Sequence, residues 1–126
     1  MKTILVVDDD PSIVKSWKRI LRLNGYAVVT ASNGREGPAA ASKESPALII
    51  TDQSRPTMDG VEFCRRLKLE RALARIPIIL INANPPAADR KPLWDESLFK
   101  PVLMDVLLAS VQRLLKPGTG SHDPED

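Results

Sequence analysis

"ILVVDDDP", residues 4–11, and "LIITDQSRPTMDG", residues 48–60, share one shape: an apolar run that breaks off into carboxylate. Asp8, Asp9 and Asp10 follow Val7 directly in the first, and Asp52 follows Thr51 in the second. Short continuous apolar runs rich in β-branched residues read as strands covered on both faces, since neither face alternates with solvent. Residues 78–81 of "IPIILINA" form a third such run, residues 27–30 a weaker one, and residues 98–99, just ahead of Lys100-Pro101, a short fifth.

The segments between these runs have helical period. Asp10 can cap a helix with Pro11 at its first position, and Asn24-Gly25 can end it. On that helix Ile13, Val14, Trp17, Ile20 and Leu21 make one apolar arc, while Lys15, Lys18, Arg19 and Arg22 fill the opposite one. Residues 33–42 read as a weaker helix with Pro38 near its start. Residues 59–73 read as a third, burying Phe63, Cys64 and Leu67. Residues 103–115 read as the last, with Met104, Leu107, Leu108, Val111, Leu114 and Leu115 turned inward. Between them, Pro85, Pro86 and Pro92 leave residues 83–96 room for one short helical turn or none, so a fourth helix in sequence order would be short or irregular. Strands separated by helices imply right-handed crossovers and a parallel sheet with helices on both faces. The functional crevice of such a sheet lies beyond the carboxyl ends of its strands.

Composition bounds the function. The chain has 126 residues, enough for one domain, here assigned to residues 1–116, with a tail "PGTGSHDPED" (117–126) that reads as disordered. A net charge of +2 makes no case for nucleic acid or a membrane surface. Cys64 is the single cysteine, which excludes an internal disulfide and a cysteine zinc site and fits a reducing compartment. His122, the single histidine, lies in the tail, which argues against Ser-His and Cys-His catalysis. No apolar run has membrane-spanning length and the first residues turn acidic too soon for a signal peptide, so a cytoplasmic location is expected.

What gathers at the strand ends is the informative part. The first strand ends in Asp8 and Asp9, the third in Asp52, the fourth in Asn82 and the fifth in Lys100. Two carboxylates about 5 Å apart repel by roughly 3 kcal/mol at an effective dielectric of 20, so three together require a bound cation or a proton. All-oxygen ligands suit a hard ion, Mg2+ in a cell. A carboxylate between Mg2+ and an ammonium is arranged for phosphoryl transfer, with the carboxylate as nucleophile.

Taken together, in this order and spacing, "ILVVDDDP", "LIITDQSRPTMDG", "IPIILINA" and "FKP" resemble the receiver domain of two-component response regulators over nearly the whole chain. The resemblance implies a flavodoxin-like (βα)5 fold with a five-stranded parallel sheet of order 2-1-3-4-5. It makes Asp52 the phosphoacceptor and a metal ligand, Asp9 a direct Mg2+ ligand, Asp8 a ligand through water and Ser54 a ligand through its backbone carbonyl. Lys100, Asn82 and Ala83 would contact the phosphoryl group, and the Lys100-Pro101 peptide would be cis. A histidine kinase or phosphotransfer protein would be the donor, and a downstream output protein the reader. The basic arc of Lys15, Lys18, Arg19 and Arg22 would face the donor, although such arcs often only meet solvent. The resemblance further implies no true enzyme activity beyond Mg-dependent self-phosphorylation and slow self-dephosphorylation. It also implies no direct nucleic-acid contact, no membrane insertion, and a monomer or weak dimer.

Two positions depart from the family pattern. Asn82 stands where members usually carry Thr or Ser, and Ser97 where they tend to carry a switching Tyr or Phe. An amide can donate to a phosphoryl group, but it is longer and planar and has no small hydroxyl to shift. Two other classes therefore stay open: a receiver-like interaction module that works without phosphorylation, and a haloacid-dehalogenase-type phosphatase built on the Asp-x-Asp spacing of "DDD". The last is opposed by Ser12, where those enzymes place Thr or Val, and by the lack of chain for a cap.

Overall fold

The computed structural model describes residues 1–32, 36–52, 60–82 and 93–115, without the side chains of residues 60 and 61. Five strands, β1 (Thr3–Val7), β2 (Ala27–Ala31), β3 (Leu48–Asp52), β4 (Ile78–Asn82) and β5 (Glu96–Phe99), form one sheet of order β2-β1-β3-β4-β5. All four pairings are parallel, with Ile4 opposite Leu48, Asp52 opposite Ile81 and Asn82 opposite Phe99. Four helices are described: α1 (Pro11–Leu23), α2 (Glu36–Glu44), α3 (Gly60–Leu69) and α4 (Met104–Leu115).

Strand alternation divides the core in two. Ile4, Val6, Leu48, Ile50, Ile79 and Ile81 meet Trp17 and Leu21 of α1 and Leu107 and Val111 of α4 on one face. Leu5, Val7, Ile49, Ile78 and Leu80 meet Ala41 of α2 and Phe63, Cys64 and Leu67 of α3 on the other. β3 and β4 are buried along their whole length, which is why both read as unbroken apolar runs. On the second face α2 approaches closely because Gly37 has no side chain: a Cβ there would lie 2.8 Å from the Phe63 ring.

The expected capping of α1 is realised. Asp10 accepts from the Ser12 amide at 2.9 Å and Pro11 occupies the first helical position, while Gly25, with φ of 92°, carries the chain out beyond Asn24. Other boundaries shift. α2 is described over Glu36–Glu44 and ends two residues later than expected; its expected start at residue 33 lies outside the described residues, and the Glu36 carboxylate accepts from both the amide and hydroxyl of Ser32. α3 ends at Leu69 instead of residue 73, because Glu70, Leu73 and Ile76 take i→i−3 bonds that tighten the chain into turns. β5 begins two residues earlier than expected and α4 one later. Residue 59, the prolines of the 83–92 segment with the short helical turn expected there, and the tail expected at 117–126 lie outside the described residues.

The amino end of the sheet is closed by hydrogen bonds. Ala27 donates to Lys2, Ala47 to Thr3 and Ile49 to Pro77 across neighbouring segments, at 2.8–3.0 Å. At β4 the Ile78 amide donates to the Asp95 carboxylate at 2.8 Å, and the Asp95 amide returns to the Ile78 carbonyl at 2.9 Å.

Candidate functional site

The opposite, carboxyl end of the sheet is where polar groups are buried. Asp8 just past β1, Asp52 at the end of β3 and Asn82 at the end of β4 are 3%, 2% and 0% exposed. Alternation places Asp8 and Asp52 over the α1/α4 face, in line with Val6 and Ile50, and it places Lys100 there too, two residues beyond Leu98. Asp9 is exposed beside them. One carboxylate oxygen from each of Asp8, Asp9 and Asp52 lies within 4.8 Å of the others, the one such cluster among the described residues. The gathering expected from the sequence is therefore present.

Lys100 reaches the cluster from β5. Its amide donates to the Asn82 carbonyl at 2.8 Å, and the Lys100-Pro101 peptide is cis, as the resemblance implied. The ammonium lies 2.7 Å from Asp52 Oδ1. That approach is an ion pair at hydrogen-bond distance whose angles leave Oδ1 without a well-aligned donor. Hydrogen-bonding contact with Asp52 raises the Lys100 pKa above its ordinary value, Asp8 and Asp9 adding to it.

Asp8 answers differently. Its Oδ1 accepts from the Asp10 amide at 2.9 Å, which fixes the side chain, but Oδ2 has no partner. Burial raises its pKa, and repulsion from Asp52 and Asp9 adds to the rise, against the opposing pull of the Asp10 amide and Lys100. One ammonium does not compensate three carboxylates. A hard divalent cation with oxygen ligands fits what is left, a buried carboxylate oxygen without a donor beside two more carboxylates.

Asn82 stands at the same end of the sheet, as the last residue of β4, and alternation puts it in line with Ile78 and Leu80 on the α2/α3 face; among the described residues neither Nδ2 nor Oδ1 has a hydrogen-bond partner. Ser97, paired with Leu80, is half-buried on β5. Ser54 and Ala83 lie outside the described residues. Of the basic arc, Lys15, Arg19 and Arg22 are exposed and Lys18 is half-buried.

Two hollows flank the start of α1. One of about 210 Å³ is lined by Asp8, Asp9, Thr30 and Ser32 among others. The other, of about 580 Å³, runs between α1 and the segment after β5 and is walled by Ile13, Trp17, Pro101, Val102 and Met104, with Lys100 at its edge. This apolar hollow is invisible to a linear reading, because its walls come from residues some ninety positions apart that read separately as core.

A doubly wound parallel sheet of order 2-1-3-4-5 with an acidic cluster and a lysine at its carboxyl end is the arrangement that the sequence resemblance implied. Comparison with known proteins makes the assignment: residues 4–112 match the response regulator receiver domain, and the chain belongs to that family. It is 34% identical over 120 residues to the response regulator MprA of Mycolicibacterium vanbaalenii, covering 92% of this chain and 51% of that protein. It is 39% identical over 89 residues to the alkaline phosphatase synthesis transcriptional regulatory protein PhoP of Bacillus subtilis, covering 71% and 36%. The chain thus spans about half or less of the length of these relatives. Among solved structures, the chemotaxis protein CheY4 of Vibrio cholerae superposes with a TM-score of 0.83 at 32% identity, covering 91% of this chain and 99% of that one. The response regulator TrrA of Thermotoga maritima, in complex with Mg2+ and BeF, superposes at 0.81 and 32%, covering 91% and 100%. The chain is a receiver domain of two-component systems, and no helix among the described residues is long and apolar enough to cross a membrane.

Proposed function

We propose that this receiver domain accepts a phosphoryl group on Asp52 from a histidine kinase or phosphotransfer protein and passes the signal on by protein–protein contact. The observation that carries the reading is Lys100 Nζ, 2.7 Å from Asp52 Oδ1 inside a cluster of three carboxylates. A carboxylate oxygen of Asp52 forms the new O–P bond as the bond from phosphorus to the donor atom breaks, and the leaving group takes up a proton. Mg2+ held by Asp9, Asp52 and the Ser54 carbonyl, with Asp8 acting through water, would supply charge neutralisation for the transferring group. Lys100 is placed to turn from the free carboxylate to the phosphoryl oxygens, and Asn82 and Ala83 complete the contacts. The exposed cations of α1 and the apolar hollow beside Lys100 suit the surface of the donor protein. The domain, residues 1–116, acts in the cytoplasm in this reading, with no catalysis beyond its own phosphorylation and slow dephosphorylation.

A second reading, an interaction module that works without phosphate, is favoured by Asn82 and Ser97, which stand where the family usually carries Thr or Ser and an aromatic residue. Incubation with Mg2+ and acetyl phosphate separates the two. The first reading expects a base-labile mass increase of one phosphoryl group that is lost in Asp52→Asn. No label on the wild type, or label that persists in Asp52→Asn, would sink it.

A further inference from the structure

Ile13 and Trp17 stand one turn apart on the inner side of α1, and Ser12 and Ser16 stand one turn apart beside them. The two serines are small and exposed, so their side chains leave open the space between α1 and the segment after β5. The hollow of about 580 Å³ that results has apolar walls, two hydroxyls along α1 and Lys100 at its edge. Clefts that hold small molecules run to about 300–1,000 Å³ and combine apolar lining with a few placed polar groups. Lys100 decides which small molecule fits. Its ammonium lies 2.7 Å from Asp52 Oδ1, and alternation directs Asp52 to the same α1/α4 face as the hollow. A molecule lodged here meets a cation at the end nearest the acceptor carboxylate. It needs an anionic group at that end and an apolar body behind it.

We propose that the hollow receives the acyl group of a small phosphodonor, which makes this receiver selective for acyl phosphates bearing a ring over acetyl phosphate. The inference rests on phosphoryl acceptance at Asp52 and adds to it a class of donor. A protein donor covers the hollow from outside; a small donor fills it from within. A carboxylate oxygen of Asp52 bonds to phosphorus while the bond from phosphorus to the acyl oxygen breaks. That oxygen keeps the electron pair, so the donor departs as a carboxylate and no proton moves. Lys100 meets the phosphoryl oxygens, Ser12 and Ser16 offer hydroxyl donors to the acyl oxygens, and Trp17, Val102 and Met104 wall the ring. A phenyl ring takes more apolar surface out of water there than a methyl group does, a difference worth about tenfold in capture of the donor.

The test compares phosphorylation of the chain in Mg2+ by benzoyl phosphate and by acetyl phosphate at equal, sub-saturating concentration, read as mass increase. Benzoyl phosphate should label about tenfold faster. Ser16→Phe, which fills the hollow from an exposed helical position, should bring the ratio of the two rates close to one. A second measurement decides the matter even if that variant does not fold. Phenacylphosphonate, an analogue of benzoyl phosphate that cannot transfer its phosphorus, should change the fluorescence of the wild type in Mg2+. Trp17→Phe, which keeps Trp94, should lose that change. Equal labelling by the two donors, a ring preference untouched in folded Ser16→Phe, or fluorescence indifferent to phenacylphosphonate would overturn the inference. Absence of label from both donors would instead overturn the phosphoacceptor reading, and this inference with it.

Discussion

At the amino end of the sheet Ile78 and Asp95 exchange two hydrogen bonds, and Ala27, Ala47 and Ile49 each find a carbonyl on the neighbouring segment. At the carboxyl end, some five residues away along the same strands, Asp8 Oδ2 and both amide atoms of Asn82 are buried without a partner. The strands are the same and their burial is similar, so the difference is not one of position in the core. An unpaired buried polar group costs about 1–3 kcal/mol. Among the described residues, paired donors at one end suit it to holding the sheet together, and buried groups without partners suit the other end to taking a ligand.

The largest effect on stability should come from opening the closed end. Asp95→Ala removes the acceptor of the Ile78 amide and should lower the urea unfolding free energy by about 1–3 kcal/mol, whereas Asp95→Asn keeps a carbonyl there and should lose less. A neutral Asp95→Ala would show that the two ends are not so unlike. Filling the open end should act in the other direction. Mg2+ at ten times its dissociation constant should stabilise the wild type by about 1.4 kcal/mol, and Asp9→Ala should remove most of that gain. Indifference of the melting midpoint to millimolar Mg2+ would remove the metal from the site.

A smaller effect follows from Asp8 in the metal-free chain. Its pKa in the fold is raised above the ordinary 3.8 by burial, so between those two values the folded chain holds more protons than the unfolded one. The Asp8 contribution to stability should therefore fall as pH rises from 3.8 through the folded value. Asp8→Asn should flatten that part of a pH–stability curve measured in chelator and leave the neutral protein more stable. Lys100 follows the same direction in a higher range: its pair with Asp52 contributes fully below pH 10.5 and is lost as pH rises through its raised value. The smallest change is expected far from the carboxylates. Ser97 buries too little apolar area to give two packings of β5 and α4, so amide exchange over residues 103–115 should barely respond to beryllofluoride, the response being confined to residues 53–59 and 83–87. Strong new protection on α4 would show that the open end reaches further than its own rim.

The sheet was legible because its evidence was local. Residues 48–50 and 78–81 are apolar at every position because helices cover both faces, and the carboxylates and Lys100 announce themselves by following such runs. The end of α3 was not legible: it depends on tight turns after Leu69, which compete closely with one more helical turn. The orientation of Asn82 was hidden for another reason. Its type suggested a phosphate contact, but which face of the sheet it takes follows from β4 pairing Ile81 with Asp52, a register that no single stretch of sequence contains.

The Asp95 bond at the quiet end also acts as a ruler. β5 has four residues and pairs with β4 alone. Its register rests on a short ladder held at one end by Asp95 on Ile78 and at the other by the Lys100 amide on the Asn82 carbonyl, with Glu96 paired to Arg113 of α4. Slipping it by one residue would carry Lys100 about 3.3 Å along the sheet and turn its side chain to the opposite face. The ammonium would then miss Asp52 altogether. A carboxylate clasping the Ile78 amide at one rim thus sets the spacing of a charge pair at the other, and a receiver that lost this clasp could keep every residue of its acidic cluster and still lose the alignment of its lysine.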